Sequence, residues 1–309
     1  MILNLVFLLV GFCLVIWGAD KFTDGACGLA RRWRVSELVI GLTVVSIGTS
    51  LPELIVSLLS SIQDSGDMSI GNIMGSNIFN TMVIVGCSAM VMRICVSPVV
   101  MKRDMVLSLS LSGLLWLVAI QGRITRMGGA CLFALFCLYL LMLAYNERKK
   151  RQPQAVGQSA QMDYWRICLY ILIGMGCLVG GGNLLVNSGT ELARMWGMSE
   201  RVIGLTILAC GTSLPELATS VVAARKGRAE LALGNVLGSN IFNITFVLGL
   251  CNLMSPTQIP NIALLDWVVL LGSGVLLLLF AVTGRKINRL EGFLLLALYV
   301  AYLSKLVMQ

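Results

Sequence analysis

The chain has 309 residues, 57% hydrophobic and only 12% charged, with a mean hydropathy of +0.88, too little charge to coat a soluble domain of this size. The formal charge of +8 would suit phosphate in a soluble protein, but here Lys and Arg crowd one set of loops, as membrane orientation demands, so no nucleic-acid partner is expected. Histidine is absent and the 10 cysteines include no Cys-x-x-Cys pair, which removes zinc-type sites and a disulfide framework and leaves oxygen, the ligand of hard cations, as the only means of holding a metal.

In chain order, the N-terminus Met1-Ile-Leu-Asn-Leu-Val-Phe has no basic segment and no small-residue cleavage site follows it, so it reads as a retained first span. Hydropathy predicts ten spans, near 2–20, 36–62, 69–92, 105–120, 128–145, 167–190, 202–224, 231–253, 266–283 and 292–308. The cysteines, mostly inside these runs, read as small buried hydrophobes. The polar stretch 146–166 divides the chain into two five-span units, 1–145 and 167–309. Lys21, Arg31, Arg32, Arg34, Arg93, Lys102, Arg103, the basic run at 148–151, Arg166, Arg225, Lys226, Arg228, Arg285, Lys286 and Arg289 fall on one side. The positive-inside rule makes that side cytoplasmic, which puts both termini outside a cell membrane.

The chain also repeats itself. Val39-Ile-Gly-Leu-Thr43 recurs from Val202, Gly48-Thr-Ser-Leu-Pro-Glu-Leu54 from Gly211, and Gly75-Ser-Asn-Ile-Phe-Asn80 from Gly238, at a constant offset of 163 residues. The same offset pairs Gly11 with Gly174, Gly18 with Gly181 and Trp33 with Trp196. Because each half has an odd number of spans, the second enters the membrane from the opposite side. Inverted repeats of this kind bind substrate where the two copies meet.

Glu53 and Glu216 lie well inside apolar spans with no Lys or Arg near them in those spans, so the missing countercharge is most simply a bound cation. Thr49 and Ser50 precede Glu53 by four and three residues and are expected on its helical face, and Thr212, Ser213 and Glu216 repeat the arrangement. Pro52 and Pro215 push against the carbonyls of Gly48 and Gly211, which predicts helix breaks there and freed backbone oxygens. Asn72, Ser76 and Asn80 form one polar stripe, as do Asn235, Ser239 and Asn243. The deeper four, Ser76, Asn80, Ser239 and Asn243, are read as facing the ion path, whereas Asn72 and Asn235 are equally well explained by hydrogen bonds to a neighbouring helix. Two carboxylates with hydroxyls, amides and carbonyls suit Ca2+ or Na+ better than Mg2+, which keeps its waters.

These motifs, Gly-Thr-Ser-Leu-Pro-Glu followed by Gly-Asn-x-x-Gly-Ser-Asn-x-x-Asn in both halves, resemble the alpha repeats of the calcium/cation antiporter superfamily, and most of all its prokaryotic sodium/calcium exchangers. The resemblance implies an all-helical fold of ten spans in two inverted repeats. Within it the second, third, seventh and eighth spans form a core around the ions, and the first and sixth slide across it. It also implies that Glu53 and Glu216 contact Ca2+ and Na+ directly, that Thr49, Ser50, Thr212, Ser213, Ser76, Asn80, Ser239 and Asn243 complete the site, and that the carbonyls of Ser46 and Ala209 serve Na+. Relatives that also carry potassium have aspartate where this chain has Asn243, so potassium co-transport is not expected. The transported ions are then Ca2+ and Na+, with no cofactor, no obligatory protein partner and the bilayer as surroundings. A Ca2+/H+ antiporter on the same fold is the alternative, and a channel fits an antisymmetric repeat less well. No nucleophile–base pair suggests an enzyme.

Overall fold

The computed structural model describes residues 2–62, 66–150, 162–198, 207, 209–259 and 263–308. Among them, eight helices are long and apolar enough to cross a bilayer: α1 (Ile2–Trp33), α4 (Met68–Val91), α5 (Val100–Ile120), α6 (Arg126–Lys149), α7 (Tyr164–Met195), α9 (Ala229–Met254), α10 (Leu264–Gly284) and α11 (Arg289–Met308). A ninth span is a bent pair, α2 (Glu37–Thr49) and α3 (Leu51–Ile62), meeting at 48°. The expected span 202–224 lies partly outside the described residues, which show a turn at Ala209–Gly211 and then α8 (Leu214–Arg225).

Two helices overrun their expected limits most. The first continues from residue 20 to Trp33, and the sixth occupies Tyr164–Met195 rather than 167–190. The charges at Asp20, Lys21 and Asp24 do not end α1, because ion pairs at Asp20 and Asp24 satisfy them in place. The helix stops only where Arg34 turns left-handed, at φ 55°. At 1.5 Å per residue α1 is about 48 Å long, well beyond the hydrocarbon thickness of roughly 30 Å, so it must tilt or project.

Burial sorts the helices. The most apolar windows of α4 and α9 are 78% and 83% buried, against 22% for α1 and α7, so α4 and α9 are encased in protein while α1 and α7 lie outside them. The latter two run along each other through glycines. A Cβ on Gly11 would stand 2.9 Å from the carbonyl oxygen of Gly181, and one on Gly18 would stand 2.8 Å from that of Gly174. The repeat aligns Gly11 with Gly174 and Gly18 with Gly181, so the contacts are crossed, as a pseudo-two-fold axis between inverted copies requires. Five of the cysteines (Cys13, Cys95, Cys131, Cys137 and Cys168) are exposed rather than buried, since a membrane protein has no need to hide apolar atoms from lipid.

Two short ladders obey the same crossed rule. β1 (Ile94–Cys95) pairs with β4 (Lys286–Ile287) antiparallel, Ile94 opposite Ile287, and β2 (Arg123–Ile124) pairs with β3 (Thr257–Gln258), Ile124 opposite Thr257. Ile94 is the repeat counterpart of Thr257, and Ile124 of Ile287. The first ladder lies on the basic face and the second on the opposite one. Nearby, the fully buried Asp104 of α5 accepts the Tyr139 hydroxyl of α6 at 3.0 Å and both the Nε and a terminal nitrogen of Arg103 at 2.8 and 2.9 Å. In the second half Tyr302 of α11 donates to Asp266 of α10 at 2.8 Å, and no arginine adjoins Asp266 in the sequence.

Candidate functional site

Both prolines act, but the breaks fall later than the glycines. The first is at Ser50 (φ −86°, ψ 12°) and the second spans Thr212 and Ser213, the latter at φ −90°, ψ 7°. Pro52 and Pro215 then sit in the first turns of α3 and α8, where a missing N–H costs nothing. That placement puts Glu53 and Glu216 in those first turns too, at helix N-termini whose dipoles favour a carboxylate. Ser50 is therefore not on the helical face of its own glutamate, and its hydroxyl crosses to the other repeat.

The crossing builds the site. Ser50 Oγ donates to Glu216 Oε1 at 2.8 Å and lies 2.9 Å from Ser239 Oγ. Symmetrically, Ser213 Oγ donates to Glu53 Oε1 at 2.9 Å and lies 2.9 Å from Ser76 Oγ, which donates to the same carboxylate oxygen at 3.2 Å. The structure thus brings Glu53, Glu216, Ser50, Ser213, Ser76 and Ser239 into one cluster between α3, α4, α8 and α9, with both glutamates fully buried. Asn80 and Asn243 lie beside it: Asn243 Nδ2 reaches Ser76 Oγ at 3.4 Å and Asn77 Oδ1 at 3.2 Å, and Asn80 Nδ2 reaches Asn240 Oδ1 at 3.1 Å.

Donors run out before acceptors do. Glu53 Oε2, Glu216 Oε2, Asn80 Oδ1 and Asn243 Oδ1 are all buried without a hydrogen-bond partner among the described residues. They form two symmetry-related pairs. A buried acceptor left unsatisfied costs roughly 1–3 kcal/mol, and more if charged, so these four oxygens are candidates for holding a positive occupant.

The remaining expected positions divide. Thr49 Oγ1 donates to Asn235 Oδ1 at 3.1 Å, whereas its counterpart Thr212 has a hydroxyl without a partner among the described residues. Asn72 and Asn235 brace their helices, donating to the carbonyls of Glu53 and Glu216 at 3.4 Å and to Ser57 and Ser220 at 3.1 and 2.9 Å. The Ser46 carbonyl accepts the Ser50 N–H at 3.0 Å, and Ala209 opens the turn before the second break.

Asn77 and Asn240 went unread in the sequence, yet they join α4 to α9 at the pseudo-axis. Asn77 Nδ2 donates to the Asn240 carbonyl at 3.3 Å, and Asn240 Nδ2 to Thr81 Oγ1 at 3.0 Å. They are 163 residues apart, as are Ser57 and Ser220, so the repeat offset itself would have found them. Asn80–Ile84 and Asn243–Val247 are also π-helical turns, each opening on a site asparagine, which suits a functional position.

The family model for the sodium/calcium exchanger protein matches residues 3–145 and again 167–308. This chain belongs to the sodium/calcium exchanger family. The exchanger is 32% identical to the sodium/calcium exchanger MaX1 of Methanosarcina acetivorans, over 97% of each chain. It is 36% identical to the inner membrane protein YrbG of Escherichia coli, over 99% of this chain and 97% of that one. Among solved structures, the sodium-calcium exchanger NCX_Mj soaked with Na+ and Sr2+ superposes with a TM-score of 0.85 at 33% identity, covering 98% of each chain. The protein is accordingly a multi-pass membrane cation antiporter with the exchanger fold of inverted repeats, and not an enzyme.

Proposed function

We propose that the exchanger moves Ca2+ against Na+ by alternating access, with the ions held between Glu53 and Glu216. The observation that supports this most is the set of four unsatisfied buried oxygens, Glu53 Oε2, Glu216 Oε2, Asn80 Oδ1 and Asn243 Oδ1. One Ca2+ or about two Na+ would balance two carboxylates, whereas an empty doubly charged cavity in low dielectric should resist passage between inward- and outward-facing states. That resistance makes exchange obligatory. Ser50, Ser76, Ser213 and Ser239 orient the carboxylates and share the ions, Thr49 and Thr212 flank them, and the Ser46 and Ala209 carbonyls serve Na+. The basic face is cytoplasmic and both termini lie outside. The name of the Escherichia coli relative supports a cytoplasmic-membrane location, and residues 1–145 and 167–309 act as the two repeats joined by 146–166.

The test is Ca2+ uptake into proteoliposomes, driven either by an opposing Na+ gradient at fixed pH or by a pH gradient without Na+. Uptake with Na+ alone is expected. Uptake with the pH gradient alone would replace Na+ by H+ as the counter-ion, and uptake needing neither would point to a channel.

A further inference from the structure

On the basic face, α1 is tied to the turn between α8 and α9 by one side chain. Lys226 Nζ stands 2.7 Å from Asp20 Oδ1, 2.6 Å from Asp24 Oδ1 and 3.0 Å from the Asp20 carbonyl oxygen. Asp20 and Asp24 are one helical turn apart on α1, so a single ammonium spans both. Burial pulls the Lys226 ammonium down, but its bonds to the two aspartates outweigh this and hold it above the ordinary lysine range. Beside the pairs lies a cavity of about 380 Å³ bounded by Cys27, Arg31, Met162 and Arg228. Arg228 is itself paired to Glu37 of α2 at 2.8 Å.

The opposite face lacks this arrangement. The offset that aligns the repeats places Asn183 where the first half has Asp20, Asn187 where it has Asp24, and Gln63 where the second half has Lys226. None of the three can carry charge. Gln63 lies outside the described residues, and both asparagines on α7 are exposed. Packing follows the same division. Ala218 and Val222 of α8, which share an apolar cluster with Ala26 and Ala30 of α1, are 8% and 9% exposed, while their counterparts Ile55 and Leu59 of α3 are 56% and 52% exposed. Among the described residues, α1 covers one face, whereas α7 leaves Ile55 and Leu59 exposed on the other.

We infer that Asp20, Asp24 and Lys226 are an ionic latch that holds the basic face closed and, having no charged counterpart opposite, biases the exchanger toward the conformation closed on that face. The inference rests on the alternating-access reading. Bonds made in only one of two conformations shift the equilibrium by their differential free energy. Near-symmetric repeats would otherwise leave the two states close in energy, so a modest contribution decides the population.

The latch is tested by a chain keeping Cys27 as its only cysteine, reconstituted and exposed to a membrane-impermeant maleimide from the basic face. Lys226→Gln, and separately Asp20→Asn with Asp24→Asn, are expected to raise the Cys27 labelling rate on the order of five-fold, as loss of partly exposed ion pairs allows. The charge exchange Asp24→Lys with Lys226→Asp should return the rate toward the parent value, which a folding defect would not do. Raised ionic strength should speed labelling of the parent but not of Lys226→Gln. Equal labelling in the parent and both neutralised variants would overturn the latch. Because labelling requires no transport, faster labelling without Na+-driven Ca2+ uptake in the parent would sustain the latch and remove only the ion assignment.

Discussion

The two repeats share a motif and a fold yet are not in the same state. In the first, Thr49 is hydrogen-bonded to Asn235; in the second, the Thr212 hydroxyl is buried without a partner among the described residues. On one face α1 lies across α8, while on the other Ile55 and Leu59 of α3 stand open. The glutamates between them are indifferent to this, each fully buried with one oxygen bonded and one free. Chemistry is therefore shared equally between the halves, and conformation is not. The proposed alternating access needs that separation, since the site must stay intact while its surroundings change.

The largest expected effect probes the equal part. Glu53→Gln and Glu216→Gln should each reduce Ca2+ exchange by about 100-fold or more, because either leaves one charge to hold a divalent cation. Flux in proteoliposomes, normalised to reconstituted protein, checks it, and parental flux in either variant would break the symmetry claimed for the site. Next, Asn80→Asp and Asn243→Asp each add a negative charge at an equivalent place. Both should strengthen Ca2+ over Na+ in competition measurements, by roughly ten-fold, and unchanged curves for both would remove the asparagines from the site.

Smaller effects sharpen the comparison of mobile and fixed parts. A Cβ on Gly174 would meet the Phe22 backbone nitrogen at 2.6 Å, whereas one on Gly176 meets nothing within 4 Å among the described residues. Gly174→Ala should destabilise the detergent-solubilised protein by about 1–3 kcal/mol through overpacking, and Gly176→Ala should leave thermal unfolding unmoved. Least of all, Tyr139→Phe should cost about 1–2 kcal/mol, since Asp104 is buried, and Tyr302→Phe under about 1 kcal/mol beside half-buried Asp266. Thermal unfolding of the two variants side by side reads the difference.

Much of this was legible in the residues. Apolar runs gave the spans, and the repeated Pro-Glu pairs marked both breaks because proline's missing N–H acts locally. The end of α1 was not legible, because Asp20 and Asp24 look like a loop until Lys226, two hundred residues away, is known to pair with both. The π-helical turns at Asn80 and Asn243 also have no local signature; they arise where α4 and α9 meet. The crossing of Ser50 to Glu216 depends on the pseudo-axis, and counting residues along one helix places the serine beside the wrong carboxylate. The contrast of Asp20 and Asp24 with Asn183 and Asn187 was readable all along, once differences between the copies are given the same weight as identities.

The two small ladders have a consequence of their own. Each joins a strand of one half to a strand of the other, and they sit at opposite ends of the molecule, so the halves are stapled above and below without help from the segment that connects them. Two separate polypeptides, cut between α6 and α7, should find each other in the bilayer and assemble, as independent subunits of an antiparallel dimer would.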